Sequence, residues 1–328
     1  MGGPQHAGQD GAQGVAHMQV RVLGSAAGGG FPQWNCNHPN SRQARAGEVA
    51  AQRRTQSSIA VSADGQRWLL CNASPDLRQQ INDNTVLQPA AHGPLRASPI
   101  QAVVLTNADV DHITGLLTLR ESQAFNLYAT GKVQAVLAAN TVFNVLNPQF
   151  VQRLPIELDK AFAPLDADGA PLGVEVTMFA VPGKVALWLE DAAKGVDIGA
   201  VGEDTVALEI REPRSGKSFF YIPGCARMTE ELAARIRGAA LVLFDGTLWV
   251  DDEMIRDGVG TKTGQRMGHL SVSGEGGTMA LLRDLGIARK VFIHINTTNP
   301  ILLDDSAERA AVHAAGWEVA YDGMHLAL

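Results

Sequence analysis

The sequence predicts an α+β domain of two mixed β-sheets packed face to face, with helices on the outside. Three observations lead there. Strand-length apolar runs recur along the whole chain. In the first half they follow one another through tight turns such as Ser62-Ala63-Asp64-Gly65, and in the second half they alternate with helical stretches. That mixture is neither a regular βαβ wind nor an all-β sandwich. With 328 residues, of which 45% are hydrophobic and 19% charged, the chain can bury a large core. No Pro- or Ser-rich linker divides it, so one domain over residues 19–328 is expected.

The expected strands are Val20–Leu23, Ile59–Val61, Trp68–Cys71, Ala102–Leu105, Val174–Val181, Val206–Ile210, Phe219–Ile222, Leu241–Phe244 and Val291–Ile293. Each is rich in Val, Ile, Leu or Phe and bounded by turn formers. Ser74-Pro75 reads as a helix start over Asp76 to Asn82. Asp305 to Glu308 reads as a capping-box-like start of a helix that Gly316 stops. Glu275 to Leu285 reads as another helix. Asp191 to Asp204 is Gly- and acid-rich and reads as the least ordered interior loop.

The formal charge of -7 comes without a basic stripe, which argues against a nucleic-acid partner. No apolar run approaches the roughly 20 residues of a membrane helix. Met1 to Met18 has no basic region followed by an apolar block, so it reads as a disordered extension or tag remnant. Three cysteines, Cys36, Cys71 and Cys225, cannot build a disulfide framework and fit a cytoplasmic location.

Chemistry-bearing residues gather at strand ends. After Ala102–Leu105 come Asn107, Asp109, Asp111 and His112. Leu241–Phe244 delivers Asp245, and Val291–Ile293 delivers His294. Each has a plainer use alone: Asp111 as a helix cap, Asp109 as a solvated charge, His112 and His294 as packed histidines, Asp245 as a turn former. Three strand ends that offer ligand-type residues point to a metal. Asp109, Asp111, His112, Asp245 and His294 are the candidate ligands, for one ion or for two sharing Asp245. Carboxylates with imidazole suit Zn²⁺, Fe²⁺ or Mn²⁺. The loop Gly24 to Gly30 has neither the dinucleotide fingerprint nor the P-loop lysine. It reads as a tight turn or a close backbone approach near the site.

The run Leu105-Thr106-Asn107-Ala108-Asp109-Val110-Asp111-His112-Ile113-Thr114-Gly115-Leu116 resembles the H-x-H-x-D-H-x-x-G-L motif of the metallo-β-lactamase fold superfamily. Asn107 and Asp109 stand where that motif has its first two histidines. Within the superfamily the chain resembles the PqqB family of pyrroloquinoline quinone (PQQ) synthesis proteins. The resemblance rests on Val22 to Cys36, Arg54 to Ser62, Asn72 to Gln80, Val181 to Val185, Tyr221 to Arg227 and Asn299 to Leu302. It implies a metallo-β-lactamase-like αββα four-layer sandwich and a place in PQQ synthesis.

The resemblance also implies a cofactor built from the Glu and Tyr of a precursor peptide. The ligand is then a Glu-Tyr precursor or a late PQQ intermediate, with other PQQ biosynthesis proteins as partners. Three activities follow as expectations. The first is an iron-type hydroxylase of the tyrosine ring, with Asp111, His112, Asp245 and His294 as its catalytic set. The others are a metal-dependent hydrolase and a carrier of PQQ or its precursor. Trp34 is expected to stack on the ring, and Arg54 or Lys184 to pair with a substrate carboxylate. Related proteins carry C-x-C-x-x-C with a distant His as a structural zinc site. Here Cys36-Asn37-His38-Pro39-Asn40-Ser41 retains Cys36 and offers His38, with Ser41 in the third place and His269 as the distant His. A degenerate zinc site of at most three protein ligands is the expectation.

Overall fold

In this computed structural model, residues 17–328 are described except Ala192, Lys194, Val196 and Ile198. Residues 1–16 of the expected extension, and those four positions of the expected Asp191 to Asp204 loop, lie outside the described residues. Met18 belongs to the fold: it is buried, and its carbonyl accepts from the Leu328 amide.

Two seven-stranded sheets form the centre. One runs His325–Ala327, Gln19–Gly24, Ser58–Ser62, Trp68–Cys71, Ile100–Val104, Phe125–Thr130 and Val151–Ile156. The other runs Trp317–Val319, Arg289–Ile293, Leu241–Asp245, Ser218–Ile222, Val206–Arg211, Glu175–Ala180 and Ala161–Phe162. In the first sheet the pairs up to Trp68–Cys71 are antiparallel and the rest parallel. In the second the strands from Trp317–Val319 to Ser218–Ile222 pair in parallel and the others antiparallel.

Side chains alternate across each strand and so divide between two apolar layers. Val20, Val22, Ile59, Val61, Leu69 and Val104 meet Val176, Met178, Leu208, Ile210, Leu243 and Val291 between the sheets. Phe220, Val242, Phe244, Phe292 and Trp317 turn outward onto Leu232, Ile236, Leu282 and Val312. Trp68, Leu70, Val103 and Leu127 turn outward on the other side, onto Leu77, Ile113, Leu116 and Val133. This is the expected αββα sandwich, and all nine expected strands are present.

The helix starts differ from the sequence reading. Asp76 is the N-cap of Leu77–Asp83, and Ser74 Oγ accepts from the Asp76 amide. Ser306, not Asp305, caps Ala307–Ala314, with its hydroxyl accepting from the Arg309 amide. Only Thr278–Leu281 of the expected 275–285 stretch is α-helical.

Strand Ile100–Val104 ends at the helix Val110–Ile113, which the loop 72–74 clamps through Ala73 N to His112 O and Gly115 N to Ala73 O, at 2.7 and 2.9 Å. A Cβ on Gly115 would lie 2.1 Å from the Ser74 carbonyl oxygen, so the motif's glycine is needed for contact between two backbones. Gly115→Ala is therefore expected to cost at least about 2–3 kcal/mol in denaturant unfolding, at the upper end of overpacking costs. A loss under about 0.5 kcal/mol would contradict this contact.

Candidate metal centre

Three segments deliver the central side chains. Asp111 and His112 sit in the helix that follows Ile100–Val104, and His294 directly follows Arg289–Ile293. His294 has φ +59°, a left-handed backbone uncommon outside glycine that histidine adopts more readily than most residues. The amide of Ile295 donates to Ser25 O at 2.9 Å and Ala27 N donates back to Ile295 O at 2.8 Å, which holds this turn against the glycine-rich loop. Gly28 of that loop lies against Asp111, where a Cβ would come 3.6 Å from its carboxylate. The loop thus serves as a close backbone approach to the site.

Asp111, His112 and His294 place one ligand atom each within 4.8 Å of one another. Asp111 Oδ2 is 3.1 Å from His294 Nε2 and 3.7 Å from His112 Nε2. Hydrogen bonds behind the rings set their tautomers. The Asp109 amide donates to Asn107 Oδ1 at 3.0 Å, which fixes that atom as the oxygen. The same oxygen lies 2.8 Å from His112 Nδ1, which therefore carries the proton. His112 Nε2 is left with a lone pair, buried and without a hydrogen-bond partner. Thr247 Oγ1 gives its proton to Asp245 Oδ1 at 2.6 Å and must accept from His294 Nδ1 at 2.9 Å. His294 Nε2 then also turns a lone pair inward.

Two imidazole lone pairs and a carboxylate oxygen converge with no proton between them in the neutral-ring state. Such a set repels itself unless a cation sits among the three. Spacings of 3.1 and 3.7 Å suit neighbouring ligands on an ion bonded at about 2.0–2.2 Å. The residues therefore fit a divalent metal. Titration follows the same logic. Burial lowers the pKa of His112 despite Asp111 beside it. Burial opposes charge on His294 too, but the Asp111 contact outweighs it and the pKa rises. Asp111 is held below the usual carboxylate range: burial raises its pKa, and the charges of His112 and His294 overcome that.

Asp245, His269 and His294 form a second such group, so the two groups share His294 rather than Asp245. Asp245 is wholly buried, and both of its oxygens are occupied. Oδ1 accepts from Thr247 N and Oγ1, and Oδ2 accepts from Cys225 N at 2.9 Å and His269 Nδ1 at 2.7 Å. It stands behind His269 as an orienting carboxylate, as carboxylates stand behind metal-site histidines. The His269 and His294 rings stack at 5.2 Å.

Asp111, His112, His269 and His294 line a cavity of about 320 Å³, together with Gly28, Gln33, Asn107, Asp109, Lys184, Met254, Met267 and Asn296. A larger cavity of about 770 Å³ beside Phe179, Arg227 and Arg235 includes neither metal-ligating group. Asp109 reaches the cavity wall but belongs to neither group. Asp111 does not cap the helix, since Asp109 is its N-cap residue.

Several expectations need correction. His269 belongs with Asp245 and His294, not with Cys36 and His38. Among the described residues neither Cys36 nor His38 is in a metal-ligating group. Both nitrogens of His38 are used: Nδ1 accepts from Asn40 N at 3.2 Å and Nε2 meets Asp257 at 3.0 Å. Ser41 bonds Thr297 at 2.7 Å, and Cys36 Sγ accepts from the His38 amide at 3.5 Å. His38 thus caps the helix Pro39–Ala46. Among the described residues the expected degenerate zinc site is not brought together as a metal-ligating group, and hydrogen bonds hold Cys36, His38 and Ser41 in the loop. Arg54 is buried away from the cavity and donates to Ala320 O and Ser25 Oγ. Burial lowers its pKa to about 10. Trp34 is 85% exposed and outside the cavity lining. Lys184 does line the cavity, but its ammonium pairs with Glu190 at 3.2 Å.

An αββα frame with ligands at adjoining strand ends is the architecture of the β-lactamase superfamily, and the family described as Beta-lactamase superfamily domain matches residues 67–295. Within it, the chain belongs to the coenzyme PQQ synthesis protein B family. It is 56% identical over 311 residues to coenzyme PQQ synthesis protein B of Methylorubrum extorquens strain PA1, spanning 95% of this chain and 100% of that protein. It is 55% identical over 309 residues to the Gluconacetobacter diazotrophicus protein of the same name, over 94% of this chain and 99% of that one. The crystal structure of Zn²⁺-bound PqqB from Methylobacterium extorquens superposes with a TM-score of 0.89 at 56% identity, covering 94% of this chain and 100% of that chain. A diphosphatase of the PhnP family shares the fold at TM-score 0.66 and 19% identity, over 95% of this chain and 97% of that one. Among the described residues no helix is long and apolar enough to cross a membrane.

Removing the acceptor behind His112 should free the ring to rotate and change tautomer. Asn107→Leu is expected to weaken divalent-metal binding about 10- to 100-fold, the usual cost of losing such a support. Competition with a chromophoric chelator measures it. Unchanged affinity would remove Asn107 from this role.

Proposed function

We propose that the chain acts in PQQ biosynthesis as a metal-dependent hydroxylase of the tyrosine ring in a Glu-Tyr precursor. The role in PQQ synthesis is supported by the family to which the chain belongs. The hydroxylase reading is carried by one observation: Asp111, His112 and His294 form a set of two histidines and one carboxylate beside a cavity. This donor set, with positions left open, is the one that non-haem Fe(II) oxygen chemistry uses.

A bound ferrous ion would supply the site where O₂ is reduced. Zinc, which the Methylobacterium extorquens relative carries in its crystal, has no redox chemistry and would make the site inert to O₂. In hydroxylation one oxygen atom enters the ring and the other leaves as water, with two electrons from an external reductant. The chain's own residues hold and orient. His112, His294 and Asp111 would hold the ion, and the remaining cavity wall is left to substrate. His269, fixed through Nδ1 by Asp245, presents its other nitrogen for proton exchange with the phenol. The apolar parts of Met254 and Met267 give the ring a wall to rest on.

The replacement of two motif histidines by Asn107 and Asp109 supports oxygen chemistry over di-zinc hydrolysis. Asn107 is committed to the His112 ring and leaves one fewer nitrogen for a second ion. The test uses anaerobically purified protein loaded with Fe²⁺ and supplied with reductant, O₂ and a Glu-Tyr dipeptide. Oxygen uptake and a product heavier by one oxygen atom are expected, with His112→Ala reducing turnover at least about 10³-fold. Stoichiometric iron with no oxygen uptake would overturn the hydroxylase and leave the carrier reading.

A further inference from the structure

Glu190 pairs with Lys184, a wall residue of the same cavity, and with two further cations. Arg266 grips its carboxylate with two bonds, Nη1 to Oε1 at 3.1 Å and Nη2 to Oε2 at 2.9 Å. Lys184 Nζ lies 3.2 Å from Oε1, and Lys262 Nζ lies 4.0 Å from Oε2. Among the described residues, three cations thus meet this carboxylate. The Lys184 and Glu190 side chains are 8% and 10% exposed, so this is no loose surface pair. Arg266 holds the Glu190 pKa down to about 2, so the carboxylate is charged at any working pH.

The cluster adjoins the metal site through Lys184. Lys184 is a wall residue of the cavity that holds Asp111, His112 and His294. Its stem lies over Gly268, where a Cβ would stand 3.3 Å from Lys184 Cγ on a backbone of φ +84°. Gly268 directly precedes His269 and caps the short helix Gly264–Met267, whose last turn carries Arg266. Cation placement and the His269 ring therefore share one stretch of backbone. A planar guanidinium gripping a carboxylate with two bonds is the geometry used to recognise carboxylate ligands.

We propose that Lys184 and Arg266, supported by Lys262, are the subsite for a carboxylate of the substrate, and that Glu190 fills this subsite until a substrate carboxylate displaces it. This rests on the reading above only in taking the ligand to be a carboxylate-rich derivative of Glu and Tyr. The subsite would anchor the acidic end of the ligand and leave the ring for the metal side of the cavity. Glu190 acts as an internal competitor: it keeps the cations paired while the cavity is empty, and only a ligand that brings its own carboxylate has to displace it.

Binding, not turnover, tests this. The full chain is titrated calorimetrically with Glu-Tyr dipeptide and with its counterpart carrying amides in place of both carboxylates. Glu190→Gln removes one negative charge and keeps the shape. It is expected to tighten binding of the free acid about threefold to tenfold and leave the diamide unchanged. Arg266→Gln and Lys184→Met are expected to weaken the free acid about tenfold, again without effect on the diamide. Thermal melting checks that each variant folds, and if Arg266→Gln does not, Glu190→Gln decides alone.

Free acid and diamide binding equally in wild type, no binding of the acid at millimolar concentration, or a Glu190→Gln variant that binds the acid no better would each overturn the subsite. The two readings fail separately. Charge-dependent binding without oxygen uptake sinks the hydroxylase and keeps the subsite. Hydroxylation with no dependence on Glu190 does the reverse.

Discussion

Asn107 Oδ1 and Thr247 Oγ1 each hold the Nδ1 proton of one histidine, and most of the site depends on these two hydrogen bonds. They force the Nε2 lone pairs of His112 and His294 toward Asp111. Without them either ring could rotate, or shift its proton inward and neutralise the site. Each acceptor is itself constrained. Asn107 is fixed by the Asp109 amide, and Thr247 gives its hydroxyl proton to Asp245. The Asp245 carboxylate also receives the Cys225 amide and His269. In the neutral-ring state the three inward atoms repel one another, and a proton on His294 Nε2 or a bound cation relieves that repulsion.

The sandwich makes this possible because it brings distant strand ends together. Parallel pairing of Leu241–Asp245 with Arg289–Ile293 sets Asp245 opposite Ile293, one residue before His294. Asp111 and His112 come from the other sheet, through a helix locked by Gly115 against Ser74. The contacts around Ser25, Ala27 and Ile295 close the two sheets over this edge. Metal position is then set by backbone on both sides.

Much of the frame was legible because sheet cores write themselves as short Val/Ile/Leu/Phe runs. The strands that escaped lack that mark. Val151–Ile156 contains Pro155 and alternates with polar residues, while Phe125–Thr130 carries Asn126 and Thr130 although it is fully buried. His325–Ala327 and Ala161–Phe162 are short edge strands with exposed positions. Asp111, His112 and His294 were legible as ligands because each follows an apolar strand. His269 follows a short Thr-capped helix, and no local pattern marks it as facing Asp245 across 24 residues. Asn107 was legible only as a residue standing where the motif has a histidine. Its task became visible only once the Asp109 amide fixed its oxygen. Arg54 and Trp34 were chosen for residue type, and type alone does not reveal that one is buried beside Ala320 and the other exposed.

The central claim is that one ion binds among Asp111, His112 and His294, with Asn107 and Asp245 supporting from behind. A crystal structure of this chain loaded with a single equivalent of metal, with the ion located by its anomalous scattering, tests it most directly. The account predicts one dominant peak bonded to both Nε2 atoms and to the Asp111 carboxylate, with Asn107 still accepting from His112. A dominant peak at Cys36 and His38, or one bonded directly to Asn107, would contradict it.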